Sequence, residues 1–363
     1  MFTQTMTQGV GRRLLAGPRM SALANLLTGP HGVDRYTELV EPTWTRGDAR
    51  AKVVAVRRQT SRSVTLTLEP NTAFAGFRAG QHINLSVEIN GRRRTRCYSP
   101  ASAQGAHRLE LTIGRHEGGL VSNYLCDHAY PGMVLGLDSV GGDFLLPETL
   151  PQRILFVSGG SGITPVLSML RTLRAQAFTG EIAFLHYARG ADEACYRAEL
   201  AAMASAGVRV LHGYTRDGAE GDLDGHFGPA HLAAAFAGAQ PDAVFVCGPQ
   251  ALVEAVREVR PDALSESFVP PVFAMPTGST GGTVRFANSN VEVTDDGQPL
   301  LAQAEAAGLT PESGCRMGIC HTCTRFKTSG AVRNLITGAI STADCEDIEI
   351  CVTAPVGDVV IDL

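Results

Sequence analysis

Residues 313–323 read S-G-C-R-M-G-I-C-H-T-C, and Cys351 follows further along the chain. The loop places Cys315, Cys320 and Cys323 close together, and four readings are open for it: zinc, an iron–sulfur cluster, a disulfide, or no ligand. Zinc sites usually combine two short cysteine pairs, whereas this loop holds a single Cys-x2-Cys, Cys320 to Cys323. The chain contains 9 cysteines in 363 residues, an odd number and too few for a disulfide scaffold of this length. Without an evident secretory signal the thiols are expected to stay reduced, which favours metal or redox work.

The spacing Cys315-x4-Cys320-x2-Cys323, with Cys351 beyond, is the one that ligates [2Fe–2S] clusters in plant-type ferredoxins. His321 is not spaced as a Rieske ligand. Gly314 and Gly318 suit a loop that must fold its N–H groups onto sulfur. On these residues, 283–363 resembles a plant-type ferredoxin domain. The resemblance implies an α+β (β-grasp) fold, with Cys315, Cys320, Cys323 and Cys351 as metal ligands. The other cysteines lack ligand spacing, and most read as core residues.

Working outward, the composition is that of a globular protein, with 44% hydrophobic and 18% charged residues. A net charge of −5 gives no global basic field for nucleic acid. No apolar run reaches the roughly 18–20 residues that span a bilayer. Arg12-Arg13 faintly resembles an export signal, but Pro18 and Arg19 interrupt the apolar run that should follow. The expectation is a cytoplasmic protein, with at most peripheral contact at the inner face of a membrane.

Residues 1–47 read as an extension, with one short apolar helix at 21–27. Residues 48–150 carry alternating strand patterns, at Val64–Leu68, Gln81–Val87 and Leu109–Ile113, and an Asn90-Gly91 hairpin signal. They predict a small antiparallel barrel or sandwich, with the β-barrel preferred. Residues 151–269 alternate strands with helices, which predicts a parallel α/β sheet. The helices are expected over 165–175, 193–204 and 229–237. Residues 270–282, rich in Pro, Gly and Ser, read as a linker to the ferredoxin-like unit.

A cluster passes single electrons and a reduced nicotinamide gives a hydride, so a flavin should stand between them. Three motifs agree. Arg96-Cys97-Tyr98-Ser99 resembles the R-x-Y-S flavin motif of ferredoxin–NADP reductase relatives. The resemblance implies Arg96 on pyrophosphate, Tyr98 against the flavin and Ser99 near its reactive nitrogen. Gly118-Gly119-Leu120-Val121-Ser122 resembles the second flavin motif, a glycine turn that opens a helix toward phosphate. Thr112, Ile113 and Gly114, at the end of the preceding strand, belong to the same implied site. Gly159-Gly160-Ser161-Gly162-Ile163-Thr164-Pro165 follows a strand and precedes a helix, as a phosphate-cradling loop must. It matches the family's G-G-x-G-I-T-P. Cys247-Gly248-Pro249 matches its C-G-P, and Glu266-Ser267-Phe268 its closing E-x-F. The implied catalytic residues are Ser99, Cys247 and Glu266.

The second flavin motif favours FAD, with FMN as the alternative. Arg189 and Arg197, after the second parallel strand, favour NADPH over NADH, as cations for a 2′-phosphate. The whole resembles reductases that feed a separate oxygenase or desaturase. Gly29-Pro30-His31-Gly32-Val33-Asp34-Arg35-Tyr36, with Glu41-Pro42-x-Trp44, resembles actinobacterial reductases serving acyl desaturases. The alternatives are the reductase of a ring-hydroxylating or demethylating oxygenase, a redox sensor without turnover, or a flavin reductase acting directly on a small molecule.

Overall fold

The computed structural model describes residues 37–363 apart from 39, 46, 217–220, 269–280 and 319. The expected helix at 21–27, the Gly29–Tyr36 resemblance and most of the linker lie outside these residues. Among the described residues, no helix is long and apolar enough to cross a membrane.

Alternating apolar residues drive the first unit. Strands β1 (Arg50–Thr60), β2 (Ser63–Pro70), β3 (His82–Ile89), β4 (Arg92–Tyr98), β5 (Leu109–Gly114) and β6 (Val134–Gly141) form one sheet in the order β4-β3-β6-β1-β2-β5. All its pairings are antiparallel. A bridge from Pro100 to Leu111 joins the two edges and closes the barrel. The Asn90-Gly91 turn has φ of 53° and 70°, the double left-handed conformation expected of a two-residue hairpin. Helix α1 (Leu120–His128) lies against β5 and the β3–β4 hairpin, burying Val121 and Leu125 in the barrel core.

The second unit is a parallel sheet in the order β10-β9-β8-β7-β11-β12, made of β7 (Arg153–Gly159), β8 (Glu181–Ala188), β9 (Arg209–Tyr214), β10 (Leu223–Asp224), β11 (Ala243–Cys247) and β12 (Leu264–Glu266). Helices α2 (Ile163–Ala175), α3 (Arg197–Ser205), α4 (Pro229–Ala235) and α5 (Gln250–Val259) connect its strands. Buried Phe156, Phe184 and Phe245 fill one face, and Val157, Leu185 and Val246 the other. The helix expected from residue 193 starts at Arg197 instead. Ala191–Glu193 forms a 3-10 turn, and Tyr196 adopts φ 61°. Tertiary contacts override the helical pattern there: the Tyr196 hydroxyl bonds Thr112 in the barrel, and the Arg171 guanidinium lies 5.4 Å from its ring centroid. The helix expected to reach residue 237 ends at Ala235, with Ala237 at φ 51°.

The third unit is a mixed sheet, β14-β13-β18-β15-β16, with β17 paired to β15. Its strands are β13 (Thr283–Phe286), β14 (Val291–Thr294), β15 (Thr324–Asn334), β16 (Ile340–Ser341), β17 (Glu346–Glu349) and β18 (Thr353–Ile361), and α6 (Leu300–Ala306) packs on the sheet. The long β15 gave no clear strand signal in the sequence, because charged Arg325, Lys327 and Arg333 interrupt it. Lys327 is nonetheless fully buried; its Nζ lies 2.8 Å from Glu346 Oε1 and donates to the Gly330 carbonyl at 2.7 Å.

Polar bridges tie barrel to α/β unit. Arg171 on α2 donates to Glu199 of α3, to Glu110 of β5 and to the Ala101 carbonyl, at 2.6–2.9 Å. Arg171→Ala would leave two carboxylates and a carbonyl without their shared donor. The expected loss is on the order of 2 kcal/mol, read as a lower denaturation midpoint for the variant. Lys327 holds the Glu346 carboxyl below its ordinary value of 4.5. A lowered carboxyl pKa gives stability that is present above 4.5 and lost as pH falls through the folded-state value. Stability of Glu346→Gln should therefore fall less steeply below about pH 4.5 than that of the parent chain, as acid titration of unfolding would show.

Candidate functional site

A cleft of about 500 Å³ opens where the three units meet. The barrel supplies Arg96, Cys97, Tyr98 and Ser99 from the end of β4, Thr112 and Gly114 from β5, and Gly118, Gly119, Leu120, Val121 and Ser122 at the start of α1. The α/β unit adds Ser161, Thr164, Glu266 and Phe268, and the ferredoxin-like loop adds Gly314, Cys315, Arg316 and Met317. Ile113 points instead into the barrel core, as alternation along β5 requires.

The cleft suits an anionic, flat ligand. Arg96 is mostly buried and has no carboxylate partner among the described residues; its Nη1 donates to the Thr95 carbonyl at 2.8 Å. Burial, then the nearby Arg316 guanidinium, lowers its pKa, so an anion there would be welcome to both. Tyr98 is partly buried, and desolvation pushes its hydroxyl pKa up, leaving a neutral aromatic face. Helix α1 has Gly119 at its N-cap, with no side-chain cap and no acidic residue in its first turn. Its free N–H groups therefore remain for a ligand's phosphate. A Cβ on Gly119 would lie 2.5 Å from Ser122 Oγ and 2.9 Å from His116 Cβ.

Four buried polar atoms around the cleft lack partners: His82 Nδ1, Ser99 Oγ, Glu266 Oε2 and Ser267 Oγ. Buried polar groups are normally satisfied, so this cluster fits a ligand that brings its own donors and acceptors. His82 Nδ1 lies 3.9 Å from Glu266 Oε1. Sequence reasoning missed His82. A signal was present: a histidine on a strand buried on both faces needs a polar neighbour. It also missed His116, Arg316 and Met317 as lining residues, because they come from other turns of the chain.

The two nucleotide motifs meet backbone to backbone. Ser158 of β7 pairs with Cys247 of β11, so Gly159-Gly160-Ser161-Gly162 faces Cys247-Gly248-Pro249. A Cβ on Gly162 would come within 2.2 Å of the Cys247 carbonyl oxygen, and one on Gly248 within 3.0 Å of Gly159 N. Gly160 takes φ 54°. Ile163, Thr164 and Pro165 form the first turn of α2, again without a side-chain cap. Cys247 is fully buried beside Glu266, its register partner on β12, and does not line the cleft. Burial, then the Glu266 charge, raises its pKa far above the ordinary 9.0, so it is a thiol rather than a thiolate. Arg189 and Arg197 stand away from the cleft, beyond the end of β8. Arg189 forms a 3.6 Å ion pair with Glu193, and Arg197 donates to the Ala191 carbonyl at 3.2 Å. Arg216 lies beside them, its N–H donating to the Arg189 carbonyl.

The cysteines form two pairs. Cys315 N–H donates to Cys320 Sγ at 3.1 Å, and Met317 N–H donates to Cys315 Sγ at 3.3 Å. Cys323 and Cys351 are both free, buried thiols that face one another in the core of the third unit. Arg316, Gly318 and His321 take positive φ, which curls the loop N–H groups inward. A Cβ on Gly314 would lie 2.6 Å from Cys320 Sγ. Two thiol pairs wrapped by inward N–H groups fit a two-iron cluster.

Comparisons with known proteins agree with this geometry. Residues 52–145 match the oxidoreductase FAD-binding domain, residues 156–258 the oxidoreductase NAD-binding domain, and residues 284–355 the 2Fe-2S iron-sulfur cluster binding domain. An NADPH oxidoreductase of Mycobacterium tuberculosis is 34% identical over 354 residues, covering 94% of this chain and 91% of the relative. A glycine betaine monooxygenase reductase subunit of Pseudomonas aeruginosa is 29% identical, over 88% of this chain and 96% of its own. The solved phthalate dioxygenase reductase shares the fold, with a TM-score of 0.59 and 24% identity over 86% of this chain and 97% of that one. The chain therefore belongs to the FAD- and NAD-binding oxidoreductases that carry a 2Fe-2S domain, and it is an electron-transfer reductase running from NAD(P)H through FAD to the cluster.

Proposed function

We propose that the chain takes its electrons from NADPH and hands them to a separate oxygen-activating enzyme in the cytoplasm, first of all a membrane fatty acyl desaturase. When bound, the flavin converts a two-electron hydride into single electrons for the cluster. The chain's own residues bind, orient and exclude water. Arg96 and the open N-terminus of α1 would hold the FAD phosphates, Tyr98 would offer its ring to the flavin, and Ser99 would offer an unpartnered hydroxyl. Gly114 and Thr112 form the wall of the cleft. The loop from Gly159 to Pro165 cradles the nicotinamide nucleotide, with Gly248 and Pro249 opposite. Glu266 would floor the nicotinamide end with Cys247 buried behind it, and Cys315, Cys320, Cys323 and Cys351 would hold the irons. The observation that carries the reading is the single cleft lined by flavin-motif, nucleotide-motif and cluster-loop residues together.

The NADPH preference rests on Arg189, Arg197 and Arg216, which cluster beyond the end of β8, with Glu193 as the one carboxylate paired to Arg189 among the described residues. The desaturase reading rests on the resemblance of residues 29–36 and of Glu41-Pro42-x-Trp44. A second reading, the reductase of a demethylating or hydroxylating oxygenase, has support from the glycine betaine and stachydrine reductase subunits among the relatives.

Cys320→Ser should keep the flavin bands and lose cytochrome c reduction to near background; retained reduction would remove the cluster from the route. Arg189→Ala should raise the KM for NADPH about tenfold, the equivalent of ~1.4 kcal/mol, with little change for NADH. An equal change for both would make Arg189 a surface residue. Purified acyl desaturase and demethylating oxygenase, each supplied with this reductase and NADPH, decide the acceptor. Product formation with the desaturase alone supports the first reading, and with the oxygenase alone the second.

A further inference from the structure

Cys97 occupies the variable position of the flavin motif, between Arg96 and Tyr98. Its sulfur lies within 4.8 Å of both Cys315 Sγ and Cys320 Sγ, although it belongs to the barrel and they belong to the ferredoxin-like unit. Cys97 also lines the cleft itself. We propose that Cys97 is a positioning residue that donates its S–H across the domain boundary to the ligand sulfurs Cys315 and Cys320, joining the flavin strand to one iron and raising the cluster's reduction potential. This rests on the assignment of those two cysteines as cluster ligands.

The chemistry runs as follows. Ligand thiolates carry negative charge, and that charge grows when the cluster accepts an electron. A donor aimed at them stabilises the reduced state more than the oxidised one, so the potential rises. The loop already supplies two such donors, Cys315 N–H and Met317 N–H. Cys97 adds one from outside the loop. Cys97 Sγ lies 2.8 Å from Asn84 Oδ1, while Asn84 Nδ2 donates to Ser139 Oγ at 2.6 Å. Turning the Asn84 amide end for end gives Ser139 O–H to Asn84 Oδ1 and Asn84 N–H to the Cys97 sulfur. The S–H is then free for the charged sulfurs, which are stronger acceptors than a neutral amide. One short strand, β4, thereby sets both the flavin's seat and the potential of the next carrier.

The test is a redox titration of the holoprotein, following the reduced cluster by electron paramagnetic resonance, for the parent, Cys97→Ala and Cys97→Ser. Alanine should shift the cluster midpoint to lower potential, and serine, which keeps a donor, should restore most of the shift. An unchanged midpoint in the alanine variant overturns the proposal, and so do equal shifts in both variants. A measurement on the parent chain alone guards against a variant that fails to load. Diamide, acting on the cluster-free chain, accepts two electrons and two protons from a thiol pair and becomes the hydrazine as the disulfide forms. Peptide mapping should find Cys97 joined to Cys315 or Cys320. Bridges confined to Cys315, Cys320, Cys323 and Cys351 would overturn the proposal. Absence of cluster absorption from reconstituted parent protein would overturn the ligand assignment, and the proposal with it.

Discussion

Everything in this molecule depends on how the cysteine loop lies against the end of β4. The loop from Gly314 to Met317 forms one wall of the cleft whose opposite wall is Arg96 to Ser99. That contact brings the Arg316 guanidinium, itself paired to Glu305, close enough to the buried Arg96 to add to the lowering of the Arg96 pKa. Electron transfer through protein needs proximity, and here proximity comes from packing rather than from a tether.

The three units supply different physical resources. The barrel gives a rigid strand end and an uncapped helix. The parallel sheet gives glycines whose missing Cβ atoms let β7 and β11 loops touch, at Gly162 against Cys247. The mixed sheet gives a loop whose left-handed residues aim N–H groups at sulfur. Arg171 joins the first two through Glu110 and Glu199. The buried Lys327–Glu346 pair stiffens β15, which leaves the cysteine loop directly.

Much of this was legible in the sequence because it depends on local rules. The Asn90-Gly91 turn, the glycine loop after β7 and the cysteine spacing each follow from what a few neighbouring residues can do. What the sequence hid depends on contacts between distant segments. Tyr196 breaks the expected helix because its hydroxyl reaches the barrel. Ile113 leaves the cleft because alternation along β5 sends it to the core. Cys97 looks like the unspecified letter of a motif until the fold sets it beside Cys315 and Cys320. His82 and Glu266, nearly two hundred residues apart by number, meet only after the barrel and sheet have docked.

The most direct test of a cleft shared within one chain is the rate at which the cluster bleaches after rapid mixing with NADPH, measured over a wide range of protein concentration. Docking of the ferredoxin-like unit on its own flavin domain predicts a first-order rate independent of protein concentration. A rate that rises in proportion to protein concentration would mean that electrons pass between molecules, and would contradict the shared cleft.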